Sequence, residues 1–356
     1  MEAILGAFEK TGIRGMLVPS LRDQDFIRLA TRAPSRRNGV EQRSPEPWKE
    51  EVLTVLARLR RAAPVLSGIM LGPSSPMNCS DGLLREVVTV AEQFDLGIHT
   101  HLLETRLQSW AARKLYKKSL CAHLAEIGFL SSRLSAAHSI WLDEREMDLL
   151  ASSGASVVHN PASNLKLGSG IAPVAKLKTR GVNVALGTDG GDTSDSYSIF
   201  EQIRLAAFLS RIVAEDPESW ITALDALRMG TVNGAQAVPA WRGKIGKIKP
   251  GYRADLVLLK PSLRLRPLRD IVHQLVFCEG GHSVDTVLVD GKVVLEGGRL
   301  IGVDEEALIR RVEPISKKMH RLYGLLKNKP DRSQRTMRDL YKKSFMAKGL
   351  PSRLLP

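Results

Sequence analysis

The chain has 356 residues, 43% of them apolar, and a formal charge of +14, enough for one large barrel domain or two ordinary domains with a full core. No run reaches the ~18 apolar residues of a transmembrane helix, and the start, Met1-Glu2-Ala3-Ile4-Leu5, has no basic region, so neither a membrane partner nor a signal peptide is expected. Cys79, Cys121 and Cys278 are odd in number and widely spaced, which excludes a disulfide framework or thiolate zinc site and fits a cytoplasmic location.

Short apolar runs alternate with amphipathic stretches, the pattern of βα units and a parallel sheet. In chain order the expected strands are 15–18, 68–71, 97–101, 135–140, 156–159 and 182–187. Helices are expected between them at 48–61 and 83–94; in the second, Leu84, Val87, Val88 and Ala91 form an apolar stripe. Asp143 to Glu146 put acidic residues in the first turn of another helix, where the dipole favours them. A further helical run is expected over Trp220 to Arg228.

The composition then turns β-rich at 255–259 and 284–289, and Asp290-Gly291 leads into Lys292-Val293-Val294-Leu295, a strong hairpin signal. A small β module with an exposed edge is expected over about 243–300, then a helix over 304–326. From Lys327 to Arg353 nine Lys and Arg residues face only Asp331 and Asp339. No nucleic-acid motif accompanies that charge, so it reads as a solvated, partly ordered tail, and no nucleic-acid partner is expected.

Within this frame, His99 and His101 alternate onto one strand face. Glu104 follows three residues later, and Asp189 ends a distant strand. Two imidazoles and two carboxylates at strand ends are the parts of a metal-dependent hydrolase. The pair could be taken for the His-x-His of a first barrel strand, but length opposes this. Only about ninety residues separate it from Asp189, against ~250 for eight full units. About four strands fit that interval, so if Asp189 ends the eighth strand, His101 ends the fifth.

Several segments then resemble the amidohydrolase superfamily, in the branch containing atrazine chlorohydrolase and S-adenosylhomocysteine deaminase. Ile98-His99-Thr100-His101-Leu102-Leu103-Glu104-Thr105 is similar to its fifth-strand motif, and Ala137-His138-Ser139-Ile140-Trp141-Leu142 to the sixth. His159-Asn160-Pro161-Ala162-Ser163-Asn164, running on to Gly170, resembles the following strand and loop. Gly187-Thr188-Asp189-Gly190-Gly191 resembles the eighth strand, and Lys249-Pro250-Gly251 to Leu256 the return to the sandwich.

The resemblance implies an α/β fold: a (β/α)8 TIM-type barrel, incomplete because its first strands are missing, with a small appended β-sandwich portion. The expected divisions are a hydrolase barrel at 1–242 (strands three to eight), the sandwich portion at 243–303, and a C-terminal helix and basic tail at 304–356. It also implies metal-dependent hydrolysis of non-peptide C–N bonds, with deamination of a small heterocyclic amine as the expected reaction. Dehalogenation and dealkylation use the same machinery. One divalent metal is expected, Zn ahead of Fe, held by His101 and Asp189.

In that scheme Glu104 delivers a proton to a ring nitrogen, His138 holds or deprotonates water, and Asp189 shuttles a proton. Trp141 and His159 are candidate substrate-binding residues: Trp141 either stacks on a heterocycle or packs the core, and His159 either lines the pocket or braces its loop. His99 is expected to be structural, Asn164 to make loop hydrogen bonds, and self-association stays open. The alternative is a truncated or degenerate relative without catalysis, since no first-strand His-x-His precedes these motifs.

Overall fold

Six parallel strands pair in the order in which the chain makes them. In the computed structural model, which describes residues 1–31, 45–62, 66–327 and 332–350, β1 (Gly15–Leu17) pairs with β2 (Ser67–Ile69). Just beyond β2, Leu71 bridges to Ile98 at the start of β3 (Ile98–Leu102). The series continues through β4 (Leu134–His138), β5 (Ser156–His159) and β6 (Asn183–Leu186). Ser20–Leu21 and Gly72–Pro73 add a short parallel pair. Among the described residues no strand pairs with the outer edge of β1 or β6.

The strands read as apolar runs because helices cover them, as parallel sheets require. Leu102, Ala136, Val157 and Val184 are all at most 4% exposed. Helix Asp81–Phe94 shows how the covering layer forms. Ser80 caps its first turn by accepting from the Leu83 amide at 3.2 Å, and Asp95 ends it with φ of 57°. Leu83, Leu84, Val87, Val90 and Ala91 are buried, and each larger side chain so buried contributes about 1.5–3 kcal/mol. Val88, counted in the sequence stripe, lies at its margin and is only half-buried.

Helix Glu144–Ser153 opens on a reciprocal cap between Asp143 and Glu146. Glu146 is also buried, and its Oε1 accepts from the Cys121 amide at 3.2 Å. One expected helix starts later than its sequence suggests. The helix expected from Trp220 runs over Ala223–Met229 because Thr222 and Asp225 cap each other. Trp220 instead donates its indole N–H to the Ala214 carbonyl.

The β-rich segment forms an antiparallel sheet of its own. β7 (Leu256–Leu259) pairs with β8 (Val284–Val289), β8 with β9 (Lys292–Glu296), and β9 with β10 (Arg299–Leu300). Asp290 and Gly291 both have positive φ, 53° and 79°, the backbone that a two-residue hairpin turn needs. Arg14, just before β1, joins this sheet to the parallel one through paired bonds to Asp255, 2.6 Å from Nε and 2.8 Å from an Nη.

Helix Glu305–Lys327 follows, with Ile309, Ile315 and Met319 exposed. The described part of the basic segment beyond it is largely helical. It forms helix Arg332–Met346, whose Leu340 and Ser344 are buried. Arg106, itself buried, donates to the Ser344 and Ala347 carbonyls and lies over the Phe345 ring. No helix of the described residues is long and apolar enough to cross a membrane.

Candidate active site

The proposed functional side chains emerge where strands end and the backbone turns sharply. β3 carries His99 and His101, and the chain leaves it through Leu103, whose φ is 45°. His138 ends β4 with φ of 68°, and Asp189 follows β6 with φ of 60°. Left-handed backbone at non-glycine residues costs of order 1–3 kcal/mol each and clusters where function demands a direction. Here the turns aim these side chains off the C-terminal edge of the sheet, the end at which barrel enzymes build their sites.

Three of them converge. The rings of His101 and His138 stack with centroids 5.5 Å apart. His138 Nε2 lies 4.0 Å from Asp189 Oδ2. His138 is buried, Asp189 is partly covered and His101 is exposed. Glu104, half-buried, joins the group at one remove through Ser169, whose hydroxyl donates to Oε1 at 3.4 Å.

Hydrogen bonds settle which ring atoms are presented. His101 Nδ1 bonds the Ser74 carbonyl, and His138 Nδ1 bonds Asn164 Oδ1 at 2.8 Å. Both partners are oxygen atoms, so each Nδ1 donates and each ring turns its Nε2 away from that bond. Asp189 Oδ2 accepts from the Ser163 hydroxyl at 2.5 Å and Oδ1 from the Gly190 amide at 2.8 Å. Burial alone would raise this carboxyl. The Ser163 and Gly190 donors, with Thr193, outweigh it and hold Asp189 below the usual range, as the anion.

The other candidates sit behind this face. His99 bonds Ser135 Oγ at 2.7 Å, and burial, then His101 and His138, push it down to about 4, the neutral structural role expected of it. His159 is 1% exposed and pushed down to about 3 by burial and then by His138. Trp141 is 4% exposed, edge-on to Phe345 at 6.2 Å, with Arg106 over its ring and its N–H on the Ser169 carbonyl. Of the two readings open for Trp141, its surroundings are those of core packing. Of the outlying histidines, His123 bonds Asp81 and stacks on Tyr116, and His273 packs on Phe277.

Sequence reasoning passed over Ser74, Ser163 and Ser169. Ser74 acts through its main chain, which no residue pattern reveals. Ser163 and Ser169 stood inside a quoted motif, adjacent to or near Asn164, and their place in that motif was the available signal.

The donor chemistry suits a divalent cation. Imidazole nitrogens whose other N–H is anchored to oxygen, with an anionic carboxylate, are what zinc and its neighbours select. The fit is partial. Among the described residues no group of three or more His, Cys, Asp or Glu could hold a metal ion, whereas hydrolytic zinc sites use about three protein ligands.

Comparison with known proteins gives the family. The family described as "Amidohydrolase family" matches residues 1–294. The chain belongs to the amidohydrolase family. Among similar proteins, the 5'-deoxyadenosine deaminase of Methanothermobacter thermautotrophicus is 38% identical over 246 residues, 69% of this chain and 57% of the relative. The 5-methylthioadenosine/S-adenosylhomocysteine deaminase of Caldanaerobacter subterraneus subsp. tengcongensis is 34% identical over 320 residues, 88% of this chain and 69% of the relative. A solved adenosine deaminase from Xanthomonas campestris, with bound zinc, superposes with a TM-score of 0.79 at 29% identity, covering 88% of this chain and 68% of its own. This amidohydrolase chain therefore spans little more than half of some relatives it matches. The family and the deaminase branch inferred from the strand-end motifs agree with these relatives.

Proposed function

We propose that the protein hydrolyses the exocyclic C–N bond of a heterocyclic amine, with an adenosine derivative as the substrate class. The observation that carries this reading is the convergence of His101, His138 and Asp189 at the ends of parallel strands, with Glu104 tied to the same loop. Relatives named as deaminases of adenosine derivatives support the choice of bond and ring.

His101 and Asp189 would hold one divalent ion, zinc ahead of iron, with His138 beside it. A cation held there supplies Lewis-acid chemistry that makes water a competent nucleophile near neutral pH. His138 Nε2 accepts a hydrogen bond from the attacking water and aims it at the ring carbon. Asp189, kept anionic by Ser163 and Gly190, takes the water's proton and passes it to the departing amine. Glu104 donates a proton to the ring nitrogen as the carbon becomes tetrahedral. Water adds to carbon, the C–N bond breaks and ammonia leaves, and the added hydroxyl becomes the carbonyl as its remaining proton returns to Glu104.

In this reading residues 1–242 form the catalytic body, 243–303 the supporting sheet, and 304–356 the C-terminal helices. Free Cys79, Cys121 and Cys278 support a reducing, cytoplasmic setting. The test is ammonia release from 5'-deoxyadenosine and 5'-methylthioadenosine by the purified chain supplied with zinc. Release that Asp189→Asn abolishes supports the proposal. A chain that releases none with zinc bound would favour the non-catalytic alternative.

A further inference from the structure

Three functional side chains on three different elements are all met by one short segment. It runs from Asn160 to Ser169, just after β5, and includes helix Pro161–Lys166. The Ser163 hydroxyl donates to Asp189 Oδ2 at 2.5 Å, Asn164 Oδ1 accepts from His138 Nδ1 at 2.8 Å, and the Ser169 hydroxyl donates to Glu104 Oε1 at 3.4 Å. We propose that this segment is the positioning device of the site: Ser163 and Asn164, consecutive on one helical turn, orient the carboxylate and the imidazole toward each other, and Ser169 holds Glu104.

Burial argues that these bonds are built. Ser163, Asn164 and Ser169 are 0%, 1% and 3% exposed, so water scarcely reaches these three side chains. The segment is anchored independently of the groups it holds. Gln202, fully buried, accepts from the Ala162 amide at 3.1 Å. The Ser169 amide bonds the Asn164 carbonyl, and Asn160 Oδ1 packs so closely on Gly187 that a Cβ there would fall 2.4 Å from it. β6, which delivers Asp189, is thereby keyed to the same segment.

Asn164 bears directly on chemistry. An oxygen acceptor at Nδ1 selects the tautomer with Nε2 unprotonated, and Nε2 is the atom 4.0 Å from Asp189. Asn164 Nδ2 is buried without a hydrogen-bond partner. Ser163 acts on the other partner. Its hydroxyl takes one face of Oδ2 and the Gly190 amide holds Oδ1, leaving the carboxylate a single orientation.

This inference rests on the proposed function for the roles of His138 and Asp189, but its test does not use turnover. Long-range 1H–15N correlation on the metal-free full chain reads the tautomer of His138. The wild type is expected in the Nδ1–H form, and Asn164→Leu or Asn164→Ala should populate the Nε2–H form. Zinc affinity, read by competition with a chromophoric chelator, should fall about 10- to 100-fold in Ser163→Ala, as for other residues that orient metal ligands. Ser163→Thr, which keeps the hydroxyl, should recover most of it.

A wild-type His138 in the Nε2–H form overturns the proposal outright, whatever the variants do. So does an unchanged tautomer in a folded Asn164 variant. If the wild type binds zinc too weakly to rank variants, the tautomer alone decides. A chain that deaminates nothing but shows these shifts loses the proposed function and keeps this inference. A chain that releases ammonia with His138 in the other tautomer does the reverse.

Discussion

His138 and Asp189 face each other across 4.0 Å from β4 and the end of β6, with β5 between their strands, and both hold left-handed backbone. Neither orientation is available to a residue that simply continues its strand. The strain is what turns both side chains to the same side.

Asp189→Asn separates charge from shape. Asparagine tolerates left-handed backbone as well as aspartate does, so the melting temperature should stay within about 4 °C, the equivalent of less than about 1 kcal/mol. Ammonia release should fall by about 10²- to 10⁴-fold, the usual worth of a positioned proton carrier. Retained turnover would remove Asp189 from the proton path.

Arg14 and Asp255 join the two sheets. The Arg14 side chain is 6% exposed and that of Asp255 21%. Asp255→Ala removes the paired bonds and leaves the covered guanidinium with Asp290 at 3.7 Å, so chemical denaturation should show a loss of about 1–3 kcal/mol. Acid should mimic it. Burial alone raises the Asp255 carboxyl, but Arg14 and the Asp290 amide outweigh it and the folded value is lowered. The stabilisation is therefore complete above the unfolded pKa of ~3.9 and lost as pH falls through the lower folded value. In Asp255→Asn that acid-dependent increment should shrink. An unchanged profile would show that the pair is not what acid breaks.

Arg106 secures the C-terminal helix by hydrogen bonds to the Ser344 and Ala347 carbonyls. Arg106→Ala should free helix Arg332–Met346, seen as faster tryptic cleavage within it and a loss of roughly 1.5–3 kcal/mol. Cleavage at the wild-type rate would mean that Leu340 and Phe345 hold the helix unaided.

The cysteines should divide sharply toward a thiol reagent. Cys278 is exposed, whereas Cys79 and Cys121 are buried. Burial, then Asp23, pushes the Cys79 thiol up to about 12, and burial, then Glu146, raises Cys121 well above its usual value. Titration of the native chain at neutral pH should register one fast thiol, lost in Cys278→Ser, and two that react only on unfolding.

Much of this was legible in the amino-acid order alone. The six parallel strands were located by their apolar runs to within a few residues, because a strand covered on both faces has no other way to be written. The hairpin at Asp290-Gly291 was equally plain, since positive φ at two consecutive positions selects those residue types. His101, Glu104, His138 and Asp189 were named from strand-end motifs, and covalent spacing along β-strands is enough to put them at one edge.

What tertiary structure alone decided was which groups these residues meet. The Ser74 carbonyl on His101 and the Arg106 contacts to the C-terminal helix join residues far apart in the chain. The direction of Trp141 was open until Phe345 and Arg106 were found around it. The tail that charge marked as solvated proved to hide Leu340 and Ser344. Local pattern specifies a backbone and a face, whereas hydrogen-bond partners and buried neighbours depend on how distant segments pack. That is why the side chains proposed to carry the chemistry could be named from the sequence, and most of the partners that meet them could not.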